Sequence, residues 1–65
     1  MLGAEIRKVR LRARLTQEEV AAQANISREY LSMLENDKKS PTLDTLFRIC
    51  GVLGVRASRL VAKIE

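Results

Sequence analysis

The sequence predicts an all-α protein, a compact bundle of five short helices. Three observations carry that expectation. Apolar residues recur at helical spacing almost throughout, and no stretch alternates as a strand does. Hydroxyl residues suited to capping helix starts stand before three periodic segments, at Thr16, Ser27 and Thr42. The 65 residues, 46% of them hydrophobic, suffice for one domain with its own core and for no more.

The first helix is expected over 2–13, with Leu2, Ile6, Val9 and Ala13 on one face and Arg7, Lys8, Arg10 and Arg12 on the others. Thr16 opens the second, over 17–24, and Glu19 three residues later completes a capping box. Its apolar positions are Val20, Ala21 and Ala24. Asn25 tolerates the left-handed backbone of a tight turn, and Ser27 caps a third helix over 28–36, with Tyr30, Leu31 and Leu34 apolar. A polar loop ends in Ser40-Pro41. Thr42 then caps a fourth helix over 43–53, whose inward face is read as Leu46, Phe47, Ile49, Cys50 and Leu53. Gly54 is a natural stop. A fifth helix over 57–63 carries Ala57, Leu60 and Val61, with Ile64 just beyond it.

Composition excludes several functions. Histidine is absent and Cys50 is the one thiol, so neither an internal disulfide nor a zinc site can form. No cofactor and no small-molecule ligand is expected. With no histidine and a thiol on an inward helix face, nothing is equipped for acid–base or nucleophilic catalysis, so an enzyme is not expected. No apolar run approaches the ~20 residues of a membrane span, and cytoplasmic residence is the simplest reading. Lys and Arg number 12 against 8 acids, a net charge of +4. A basic domain attracts polyanions, of which nucleic acid is the commonest.

Helices two and three with their tight turn, over 16–36, form an arrangement that can push one helix into a major groove. Ala21 is small where the two helices cross, and Val20, Ile26, Leu31 and Leu34 form the apolar seam that sets the crossing angle. Ser27, Arg28 and Glu29 leave a polar start to the third helix.

The string from Thr16-Gln17-Glu18-Glu19 through Ala21, Ile26-Ser27, the run Tyr30 to Asn36, and Pro41-Thr42-Leu43 before Leu46 resembles the lambda-repressor/Cro-like (XRE) helix-turn-helix family. The likeness covers about 6–61. It implies a lambda-repressor-like DNA-binding domain in which Gln17 bonds a phosphate and props the recognition helix. Ser27, Arg28, Glu29 and Met33 match positions that face base edges; Asn36, Lys38, Lys39 and Ser40 match the loop along the backbone, and Tyr30 is placed to offer its hydroxyl to a phosphate. Chemistry agrees: Arg28 can fork onto guanine O6 and N7, Glu29 can accept from cytosine N4 or orient Arg28, and Met33 can pack on a thymine methyl. Arg10 and Glu35 match positions that often form a partly buried ion pair. The sequence departs from the family in having Arg14 and Asp37 where glycine is common. Asp enters the left-handed region readily, and Arg14 is expected either to extend helix one or to add a phosphate contact.

Such modules typically bind palindromes as homodimers, and the expected dimer surface is Val52, Val55, Arg56, Ala57, Leu60, Val61 and Ile64. The resemblance implies a transcription regulator of double-stranded DNA, closest in compactness to restriction-modification controller proteins, with RNA polymerase as a candidate partner. Cro-type phage repressors and antitoxin-type repressors whose main ligand is a protein remain alternatives, as does an isolated domain of a longer regulator. If Arg10 and Glu35 are paired, removing one partner strands a buried charge. Glu35→Ala is therefore expected to destabilise the fold by several kcal/mol. An unchanged melting temperature would refute the pairing.

Overall fold

The computed structural model describes residues 2–62, and five helices form within them. They are α1 (Leu2–Arg12), α2 (Gln17–Ala24), α3 (Arg28–Glu35), α4 (Leu43–Leu53) and α5 (Ala57–Ala62). Among the described residues no strand forms.

The three expected N-caps are in place. The Thr16 hydroxyl accepts from the Glu19 N–H at 3.1 Å while Glu19 Oε1 accepts from the Thr16 N–H at 2.8 Å, a complete capping box. Ser27 Oγ accepts from the Tyr30 N–H, and Thr42 Oγ1 from the Thr45 N–H. The helix exits follow one rule. At Arg14, Asn25, Asp37 and Gly54 the chain turns left-handed, with φ near 60° at the first three and 72° at Gly54. The N–H after each reaches back five residues, as from Leu15 to Arg10 O and from Ile26 to Ala21 O. Only one of the four is glycine.

This corrects the expectation that Arg14 extends helix one: α1 stops at Arg12, and Ala13, expected on the apolar face, is exposed. Helix three likewise ends at Glu35, one residue early, with Asn36 as its C-cap. The described part of α5 runs to Ala62, and Lys63 lies outside the described residues.

Ile6, Val20, Leu31, Leu34, Ile49 and Leu60 are fully enclosed, joined by Ala21, Ala24, Leu46, Cys50 and Leu53. The core therefore draws on every helix. α2 packs on α3 and α4, α1 on α3 and α5, and α4 on α5. One expected member is missing from it. Phe47 is 56% exposed and Leu43, one turn earlier, 66% exposed. Both sit on the outer flank of α4, because Leu46, Ile49, Cys50 and Leu53 already fill its inward arc. Cys50 is buried, and burial pushes its thiol pKa up from the ordinary value. The thiolate is thereby suppressed and the residue acts as a small apolar side chain.

Gly3 is buried where α1 meets the end of α3. Its N–H donates to Asp37 Oδ1 at 3.0 Å, which ties the start of α1 to the left-handed residue that closes α3. A Cβ at Gly3 would lie 2.7 Å from the Glu35 carbonyl oxygen and closer still to that of Leu34. Both are helix backbone and cannot yield cheaply. Gly3→Ala is expected to cost about 1–3 kcal/mol and to lower Tm by roughly 5–15 °C in a domain this small. Thermal unfolding by circular dichroism measures it; a Tm at or above that of the wild type would contradict this packing.

Candidate nucleic-acid interface

The site is built outward from a buried ion pair. Arg10 Nε and Nη2 donate to Glu35 Oε2 and Oε1 at 2.7 and 3.0 Å, a two-pronged pairing of α1 with α3. The side chains are only 9% and 2% exposed. The third Arg10 nitrogen, Nη1, donates to the Leu15 carbonyl at 2.9 Å, so every face of the guanidinium has a partner. Among the described residues no buried side-chain nitrogen or oxygen lacks a partner. Burial of these two charges is tolerable because their geometry satisfies them.

Gln17 connects this pair to the surface. Its Nε2 donates to Glu35 Oε1 at 3.1 Å, and its Oε1 accepts from Arg28 Nη1 at 3.2 Å. The order is chemically forced. Glu35 only accepts, so it takes the amide nitrogen; the amide oxygen then faces position 28, where a donor is favoured. Arg28 supplies that donor and keeps most of its five N–H groups free. Gln17 Nε2 likewise keeps one hydrogen uncommitted.

Ser27, Arg28 and Glu29 are exposed together at the start of α3. The Ser27 oxygen is engaged in capping, which leaves its hydroxyl hydrogen to donate. Met33 is half-buried further along α3, and Tyr30 is half-buried with its ring against the core. Asn36, Lys38, Lys39 and Ser40 are exposed in the loop beyond α3. Asn36 Nδ2 donates to the Ser32 carbonyl at 2.8 Å, which fixes its side chain along the helix end.

The expected dimer residues divide. Leu60 is buried in the protomer's own core, so its apolar surface is already used there. Val52, Val55 and Ala57 are half-buried against that core, and Arg56 is exposed. Ile64 and the Val61 side chain lie outside what the structure describes. Sequence reasoning did not single out Leu11, 55% exposed on α1, nor the outward Leu43, and it placed the outward Phe47 on the inward face. Leu11 falls off the Leu2–Ile6–Val9 stripe, and that mismatch was the available signal.

Among the described residues no cluster of His, Cys, Asp or Glu is placed to hold a metal, and no helix is long and apolar enough to cross a membrane.

Known proteins share both sequence and shape. An immunity repressor of Bacillus phage phi105 is 39% identical over 95% of this chain, which spans 43% of that repressor. The control protein C.MunI of a Mycoplasma species is 38% identical over 97% of this chain and 86% of its own length. The solved structure of SinR, described as a master regulator of biofilm formation in complex with DNA, superposes with a TM-score of 0.89 at 27% identity, covering 94% of this chain and 98% of that one. The chain thus spans less than half of the phage repressor but most of the control protein. The family model described as helix-turn-helix matches residues 6–60, and the chain belongs to that family, of lambda-repressor/Cro (XRE) type.

Proposed function

We propose that this chain is a sequence-specific DNA-binding transcription regulator that reads a palindromic operator as a homodimer. The observation that carries the reading is the chain of contacts from Arg10 through Glu35 and Gln17 to Arg28. It holds an exposed guanidinium in a set direction at the start of α3, and a preset fork favours guanine in a major groove. Ser27 and Glu29 beside it, and Met33 further along, take the neighbouring base edges. Gln17, Tyr30, Asn36, Lys38, Lys39 and Ser40 take phosphates, which set register while α3 sets sequence. The relatives carry the names of repressors and regulators rather than of enzymes.

Homodimerisation follows from size: one such module contacts too little DNA to select a site in a genome. The end of α4 and the start of α5, with Val52, Val55, Arg56 and Ala57, form the proposed seat of the second protomer. The likeness to C.MunI favours a restriction-modification controller among the regulators, with RNA polymerase as a further partner if the chain activates. Such a regulator works in the cytoplasm, where the DNA is.

Footprinting at the promoter of its own gene, repeated at several salt concentrations, tests this reading. The expected result is a protected palindrome, preferred about 10³-fold or more over random duplex, with a steep fall in affinity as salt rises. Uniform weak binding to every duplex would overturn it. Arg28→Ala is expected to lose about 1–3 kcal/mol of discrimination at one base pair in each half-site and to leave the salt slope nearly unchanged. Competition gel shifts with single-base variants read that loss directly. Gln17→Ala, which frees Arg28 and removes a phosphate contact, should weaken binding to all sequences and blunt the same base preference.

A further inference from the structure

We propose that the outer face of α1, formed by Arg7, Leu11 and Arg14, is a second seat for the DNA sugar-phosphate backbone, beyond the contact assigned to Gln17. The proposal rests on the DNA-binding reading above and extends its footprint to a helix outside the helix-turn-helix.

Arg7, Leu11 and Arg14 are spaced by four and three residues, so they fall on one side of α1 and its exit turn. They line one open cleft of about 650 Å³ together with Gln17 and Asn36. Gln17 is bonded to Arg28, so the cleft continues directly from the base-reading end of α3. Its charge is unbalanced. Arg10 is neutralised by Glu35 within the cleft, which leaves Arg7 and Arg14 against Glu18 alone. Lys8 and Arg48, by contrast, pair with Glu5 and Asp44. Among the described residues neither Arg7 nor Arg14 has an acidic partner.

The apolar member is the telling one. Leu11 is 55% exposed between two guanidinium groups, outside the core. A nucleic-acid strand alternates anionic phosphate with apolar deoxyribose, and a cation–leucine–cation row repeats that alternation. Backbone donors lie alongside, because none of the described hydrogen bonds engages the N–H of Gln17 or Glu18 at the start of α2. Arg14 also stands at φ 60°, where glycine would be less strained, so replacing it by glycine separates the side chain's charge from the backbone's stability.

The test is operator binding across a salt series by wild type, Arg7→Gln/Arg14→Gln, Leu11→Ala and Arg14→Gly. The double variant is expected to lower the slope of log affinity against log salt by about 2, with base preference unchanged. Leu11→Ala should weaken binding about 3–10-fold at every salt concentration, with the slope intact. Arg14→Gly should raise Tm while lowering the slope by about 1, a divergence that a purely structural arginine would not give. An unaltered slope in the double variant overturns the proposal and leaves the Arg28-based reading standing. A wild type without sequence preference overturns both.

Discussion

The structure depends on the Arg10–Glu35 ion pair. It is the charged centre of a small protein whose interior is otherwise aliphatic apart from Cys50 and Thr45, and it joins α1 to α3. Desolvating two charges is expensive, and the expense is offset only by complete satisfaction. Two prongs from Arg10 to Glu35, a third donor from Arg10 to Leu15 O and a donor from Gln17 to Glu35 provide it. A pair so enclosed tolerates little displacement. The relative position of three helices is therefore set by directional contacts as well as by packing.

Directionality matters because the helices are too short to stand alone. Eight-residue segments such as α2 and α3 are unstable in isolation. Each is bounded instead by a hydroxyl cap at its start and a left-handed residue at its exit, and the exit angle aims the next element. The Gly3 N–H to Asp37 bond ties one such exit to the far end of α1. Local termini and long-range contacts thus specify the same arrangement, and that consistency lets a 65-residue chain with a single cysteine hold one geometry.

Much of this was legible in the residues. Thr16 with Glu19, Ser27 and Thr42 mark their helix starts, because capping chemistry is local and few side chains perform it. Asn25 and Gly54 announce their turns for the same reason. Arg14 does not: an arginine at a left-handed exit has no compositional signature, and the chain continues helical periodicity up to it. Phe47 was misplaced because periodicity defines an apolar arc, not its edges. On α4 the arc from Leu46 to Leu53 is full before Phe47 is reached, and only the packing of α2 and α5 against it determines which flank is left outside. The ion pair lay beyond spacing altogether, since Arg10 and Glu35 are 25 positions apart; resemblance located it, not periodicity.

On the proposed reading the same contacts serve folding and recognition, and this limits how the interface can vary. Glu35 dictates which end of the Gln17 amide faces position 28, so an acceptor at position 28 would meet the Gln17 oxygen and be repelled. Related regulators can therefore vary Glu29 or Met33 without disturbing this network, whereas Ser27 is held by its cap on the Tyr30 N–H and Gln17 favours a side chain that donates at position 28. Arginine and glutamine qualify; glutamate and aspartate do not unless Gln17 changes with them. In the proposed reading, the choice of residue at position 28 is thus constrained from beneath, by a buried charge on Glu35.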